Sequence, residues 1–367
     1  MITFFALVAC CQNVKSQDPN ILFIIADDIG VDYFNGYHAS ALMPTTPTLD
    51  SLRGAGILFE NAWSTPVCTS TRATIMSGKF GIKTGVMKAP GNLNLADTSL
   101  FSQIAKRTNN KYAGAVVGKW HISMPVDLNH PTQHGVDYYT GVFDAAVPDY
   151  NAWDLTYNGS TNPTTDYATT LFTDSASNWI NKQTKPWLMW LAHVAPHTPL
   201  HVPPVGTYTI NNTNTNKQKY VAMIESLDFE INRLLKSIPK NVLDNTTIIF
   251  IGDNGTSDNV LQNYPTGHGK STLYEGGIRV PMLVCGKSVT RTGVRESALV
   301  HVNDIHSTIM ELTGIDLPGG IHNSLSFKHL LDGTPGPQKK YNYCDFENST
   351  EGGWAIRNAQ YKLIRFT

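Results

Sequence analysis

The 367 residues suffice for a large core, folded as one big domain or two smaller ones. Hydrophobic residues make up 41% and charged residues 16%, a globular balance that leaves no disordered block. A net charge of −1 excludes recognition of nucleic acid or an anionic membrane through bulk charge, so any anion must be held by a few placed cations.

The chain begins MITFFALVACC, an apolar run of signal-peptide length that is too short to span a bilayer. Leu7-Val8-Ala9-Cys10 also reads as a bacterial lipobox, which would put a lipid anchor on Cys10. The usual basic residues ahead of the apolar run are missing, and a buried first strand is the alternative. The expectation is export: periplasmic, outer-membrane lipoprotein or extracellular in a bacterium, secretory pathway in a eukaryote. Residues 1–19 are thus read as leader and polar tether.

Beyond them, apolar runs bounded by turn residues alternate with helical patterns. Runs at Ile21–Ile25, Ala113–Val117, Trp187–Ala192, Thr247–Ile251 and Met282–Val284 are continuous, as in strands buried on both faces. Apolar spacing predicts helices over Tyr167–Ile180, Lys217–Ile238 and Asn303–Leu312, with Asp304 at the start of the third. The alternation predicts an α/β fold over residues 20–332: a large mixed, mainly parallel sheet sandwiched by helices. Gly333–Pro337 reads as a linker, and residues 338–367 as a small antiparallel C-terminal sheet, expected to be incomplete.

In such sheets ligands bind beyond the carboxyl ends of the strands. Asp27-Asp28, Lys119 with His121, His193 with His197, and Asp253-Asn254 each follow one of the predicted strands. Three carboxylates and an amide oxygen suit Ca²⁺ or Mg²⁺ better than zinc. Either pair alone would read as a turn, since Asp-Asp and Asp-Asn-Gly are common turn signals; two pairs at two strand ends favour a metal. Val67–Ser77 reads as a loop entering a helix with Cys68 at its N-terminus, where free N–H groups favour anionic chemistry. Arg72 would lie one turn down on the same face. A small buried cysteine is the plainer reading. Five scattered cysteines fit neither a disulfide framework nor a zinc cluster. Glycosylation sequons at Asn158, Asn211, Asn245, Asn254 and Asn348 would matter only in a eukaryotic host.

Cys68-Thr69-Ser70-Thr71-Arg72-Ala73, followed by Ser77-Gly78-Lys79, resembles the sulfatase signature Cys-X-Pro-X-Arg. Five more segments resemble that family in its order: Asn20–Asp28, Gly118–His121, Ala195–Pro199, Gly252–Gly255 and Lys270–Pro281. The resemblance implies an alkaline phosphatase-like α/β fold and hydrolysis of sulfate esters. It implies oxidation of Cys68 to formylglycine by a formylglycine-generating enzyme. One hydroxyl of the hydrated aldehyde attacks sulfur, and the second later releases sulfate. Asp27, Asp28, Asp253 and Asn254 resemble the ligands of one Ca²⁺, with Mg²⁺ as the other choice and Cys68 also touching the ion. Arg72 resembles the residue that steadies the hydrated aldehyde. Lys119 and Lys270 resemble the sulfate clamps, His121 the base for release, and His197 the group that binds sulfate and protonates the leaving oxygen. His193, His201 and His268 are left outside the chemistry.

Two departures stand out. Ser70 replaces the usual Pro, which biases the segment towards the extended shape that the maturation enzyme reads, and the chain is short for the family. The expected substrate is an extracellular sulfated carbohydrate, with no nucleic-acid partner. Two rival readings remain: a phosphodiesterase or phosphonate monoester hydrolase on the same scaffold, and a non-catalytic sulfated-glycan-binding protein with Cys68 unconverted.

Overall fold

The run NILFIIA forms the central strand β1 (Asn20–Ala26), apolar throughout because both of its faces are covered. Ile21, Phe23 and Ile25 enter one core layer, and Leu22, Ile24 and Ala26 the other, as the two-residue period of a strand requires. The computed structural model describes residues 18–124, 127–317, 319–347 and 352–367. The expected leader, up to residue 17, and the expected lipid site at Cys10 lie outside these residues.

The main sheet contains β1, β2 (Gly56–Trp63), β3 (Ala113–Lys119), β4 (Tyr138–Val142), β5 (Trp153–Tyr157), β6 (Ser160–Thr164), β7 (Trp187–Ala192), β8 (Thr246–Gly252), β9 (Met282–Gly286) and β10 (Val294–His301). Its order is β10-β2-β9-β8-β1-β7-β3-β4-β5-β6. Strands β8, β1, β7, β3 and β4 run parallel side by side. The Met282–Val284 run is antiparallel to both neighbours, which makes the sheet mixed. The helices Cys68–Ser77, Leu100–Arg107 and Asp304–Leu312 cover one face through Ile75, Ile104 and Ile309. Ala168–Ile180 and Asn216–Ser237 cover the other through Phe172, Ile224 and Ile231. The longest of these starts where Thr215 and Gln218 exchange side chain-to-backbone hydrogen bonds in a capping box.

The C-terminal segment forms a three-stranded antiparallel sheet of β11 (Asn342–Glu347), β12 (Gly352–Arg357) and β13 (Lys362–Phe366). It is fixed to the main body by a smaller apolar cluster in which Cys344, Phe346 and Ala355 meet Trp63, Val67, Leu273 and Ile278. Among the described residues no helix is long and apolar enough to cross a membrane.

The loop after β8 interlocks with the loop before β9 backbone to backbone. Gly255 donates its N–H to the Gly277 carbonyl at 2.8 Å. A Cβ on Gly255 would sit 1.7 Å from the Gly276 carbonyl oxygen, so Gly255 serves close approach of the two loops. Gly267 has positive φ and open space around its Cβ position. Gly255→Ala should therefore destabilise the protein by about 3 kcal/mol or more through overpacking, and Gly267→Ala by only about 1 kcal/mol of left-handed strain. Urea denaturation midpoints of the two variants check this; equal losses would contradict it.

Candidate active site

Four adjacent parallel strands end at one edge of the sheet, and each delivers a polar group there. β8 leads into Asp253-Asn254, β1 into Asp27-Asp28, β7 into the loop carrying His197, and β3 into Lys119 and His121. At about 4.8 Å per strand the four ends span roughly 15 Å. Asp28 and His121 leave their strands in the left-handed region, with φ of 68° and 51°, a strained conformation that costs of order 1–3 kcal/mol for such residues.

Cys68 is the first residue of its helix, following the extended Val67, and the whole helix is buried. Its Sγ lies 3.2 Å from His121 Nδ1, and Thr69 Oγ1 lies 3.1 Å from the same nitrogen. One turn on, the Arg72 guanidinium reaches three partners. Nη2 donates to Asp253 Oδ2 at 2.8 Å and lies 3.6 Å from Asp27 Oδ2, while Nη1 donates to the Lys119 carbonyl at 2.8 Å. Lys119 Nζ donates to Asp27 Oδ2, and Lys270 Nζ to Asp28 Oδ1 at 2.5 Å. Lys270 arrives from the loop between β8 and β9, anchored by its N–H to the Thr256 carbonyl at 2.9 Å.

The buried groups balance: Asp27, Asp28 and Asp253 against Arg72, Lys119 and Lys270. Burial pushes Asp27 up to about 6 despite Lys119 and Arg72. Burial also raises Asp253, with Asp27 adding to it against Arg72. Asp28 goes the other way: burial alone would raise it, but Lys270, His197 and Lys119 hold it well below the usual carboxylate range. Burial, reinforced by Lys119 and Arg72, lowers His121 to about 2 and keeps it neutral. Burial lowers His197 against the pull of Asp28.

Hydrogen bonding leaves two acceptors over. Asp27 Oδ1 and Asn254 Oδ1 are buried and receive no donor from any described residue, a costly state for polar atoms removed from water. Asp28 has Lys270, Asn254 Nδ2 and Ser257 as donors at 2.5, 2.8 and 3.1 Å. Ligand atoms of Asp27, Cys68 and Asp253 lie within 4.8 Å of one another, as do those of Asp27, Asp28 and His197. Unpartnered hard oxygens in an acidic pocket fit a cation such as Ca²⁺ or Mg²⁺. A divalent ion added to the balanced set leaves two positive charges, which suits an anionic ester and an ionised nucleophile.

All ten residues singled out from the sequence therefore gather at this edge, and the three excluded histidines pack elsewhere. His193 is fully buried under Phe172, His201 bonds Tyr167 Oη at 3.0 Å, and His268 stacks on Tyr274 at 3.7 Å. Asp304 accepts N–H groups of His301 and Leu325 at its helix start. Asn245 and Asn254 are buried, so those two sequons cannot accept a glycan as folded; Asn348 lies outside the described residues. Sequence reasoning did not find Thr69, which touches His121, or Ser257, which donates to Asp28. Only its place just after Asn254 could have drawn attention to Ser257.

A family model described as "Sulfatase" matches residues 19–315, and one described as "N-sulphoglucosamine sulphohydrolase, C-terminal" matches residues 267–367. Mouse arylsulfatase J is 31% identical over 330 residues, covering 81% of this chain and 53% of its own length. Human N-acetylgalactosamine-6-sulfatase is 26% identical, covering 82% and 63%. The chain thus spans less than two thirds of these relatives. The crystal structure of Ps i-CgsB in complex with k-i-k-neocarrahexaose superposes with a TM-score of 0.77 at 27% identity, covering 95% of this chain and 84% of that one. With a family match over most of its length and six motif segments gathered at one edge of the sheet, the chain belongs to the sulfatase family.

Proposed function

We propose that the chain hydrolyses sulfate esters of an extracellular sulfated carbohydrate, using an oxygen nucleophile derived from Cys68. The observation that carries this reading is the pair of unpartnered buried oxygens, Asp27 Oδ1 and Asn254 Oδ1, in the pocket that also holds Cys68 and three cations. Asp27, Asp28, Asp253 and Asn254 would hold one Ca²⁺. The ion, when bound, polarises a sulfate oxygen and favours an ionised nucleophile, and formylglycine at position 68 supplies that nucleophile with a second hydroxyl for turnover. Ps i-CgsB was crystallised with an oligosaccharide, which supports a carbohydrate substrate here. A cleft of about 390 Å³ lies on the loop that carries Lys270, lined by His268, Ser271–Tyr274, Phe346 and Phe366 but not by Lys270 itself.

The chain's own groups divide the work by position. Arg72 fixes the carboxylates and faces the nucleophile's helix turn. Lys119 and Lys270 turn from their carboxylates to sulfate oxygens, positive charge already in place where negative charge develops. His121, 3.2 Å from the position-68 side chain, takes the proton of the second hydroxyl there as sulfate is released. His197 Nδ1 is 2.9 Å from the Thr198 carbonyl, which requires the proton on Nδ1. Nε2, 3.5 Å from Asp28 Oδ2, must therefore first take up a second proton, which the Asp28 carboxylate favours, so that the imidazolium can pass it to the leaving oxygen.

Two outcomes test the reading. Calcium at about a hundred times its Kd should add about 2.7 kcal/mol of stability, seen as a rise in Tm over the chelated protein. Asp27→Asn should lose most of that rise; a wild type indifferent to both Ca²⁺ and Mg²⁺ would sink the metal assignment. Co-expressed with a formylglycine-generating enzyme, the peptide bearing Cys68 should change mass from thiol to aldehyde or hydrate. The product should hydrolyse an aryl sulfate, and Cys68→Ala should lower the rate by at least about 1,000-fold. Faster cleavage of an aryl phosphate diester would favour the phosphodiesterase reading, and an unmodified thiol beside a matured control protein would favour the glycan-binding one.

A further inference from the structure

Tyr150 lies outside every motif of the sequence, yet it touches the segment that carries His197. Its side chain is 1% exposed, and its hydroxyl sits 2.9 Å from the Val194 carbonyl and 2.8 Å from the His197 carbonyl. Those two carbonyls open and close one turn, in which His197 donates its N–H back to Val194 at 2.9 Å. A single hydroxyl thus spans the turn from outside. The Tyr150 ring is itself wedged: His201 lies over it at 4.2 Å between centroids, tilted by 34°. His201 is held in turn by the Pro199 carbonyl and Tyr167 Oη, each at 3.0 Å. Burial raises the phenol far above its ordinary range, so it stays protonated and remains a donor.

We propose that Tyr150 is a positioning residue for His197, its buried hydroxyl holding the Val194–His197 turn so that the imidazole faces the leaving oxygen. The inference rests on the reading of His197 as the acid that protonates that oxygen. Thr198 bonds the ring and Tyr150 bonds the backbone beneath it, so rotamer and position are fixed separately. A misplacement of about 1 Å in such a group can cost about 100-fold. The loss falls on substrates that need the proton, because a good leaving group departs without one.

The test is kcat/KM over a series of aryl sulfates from 4-nitrophenyl to 4-methoxyphenyl, with matured wild type, Tyr150→Phe, His197→Ala and Tyr112→Phe. His197→Ala should lose about 100-fold or more on the poorest leaving group and under about 5-fold on 4-nitrophenyl sulfate. Tyr150→Phe should repeat the pattern more weakly, about 10-fold against under about 3-fold. Tyr112→Phe, which loses a phenol-to-carbonyl bond to Pro19 and touches neither the turn nor His201, should lower Tm without changing the slope. Equal losses for Tyr150→Phe across the series, or none, beside a steep His197→Ala, would overturn the positioning role. A flat His197→Ala would overturn the acid assignment and this inference with it. A wild type inactive on every member would overturn both.

Discussion

Arg72 is the side chain on which the site hangs. It leaves a helix that is buried end to end, and it binds the carboxylates after β8 and β1 and the carbonyl at the end of β3. A buried guanidinium without partners would cost several kcal/mol, so helix and three strand ends must settle together. Ion pairs this deep add little net stability, because desolvation offsets most of the attraction. The two apolar layers stabilise the sheet; the ion network makes one arrangement of its edge acceptable.

That arrangement explains the sign of each group. Three cations nearly cancel three carboxylates, and both histidines are kept neutral chiefly by burial. Ser70, standing where the family usually has Pro, bonds Thr65 Oγ1 at 2.6 Å and the Val67 carbonyl at 3.1 Å. Its hydroxyl is absorbed by the loop before the helix and touches neither the nucleophile position nor Arg72. The folded site thus satisfies the serine hydroxyl, and under the proposed maturation the substitution would act on the extended, unfolded segment instead.

Strands β1, β3, β7 and β8 were legible because both their faces are buried, which makes their sequences apolar without interruption. The polar residues just past them were legible for the complementary reason: a carboxylate or imidazole after such a run stands at a strand end. Strands β5 and β6 were not, since they are largely exposed and β6 carries Pro163. β2 and the edge strand β10 were hidden by the polar Glu60, Asn61, Arg295 and Glu296 that interrupt their apolar runs. Lys270 lies far from any strand end and was found through the family resemblance alone. Thr69, Ser257 and Tyr150 act through contacts with distant or unmarked backbone, for which residue type and local spacing give no sign.

The placement of β1 also sets a timetable for synthesis. Its partners are β7, about 170 residues later, and β8, about 225 residues later. At ribosomal rates of about 5–20 residues per second, the strand waits roughly 10 to 45 seconds for them. Through that interval Phe23-Ile24-Ile25 has no sheet to enter, a segment of the kind that pairs wrongly with its neighbours. The helix of Cys68 waits as long, because the carboxylate that Arg72 needs emerges only with residue 253. Late pairing thus exposes the chain to aggregation, and the same delay would keep the cysteine open to the maturation enzyme proposed above, which could not reach it once the sheet has closed.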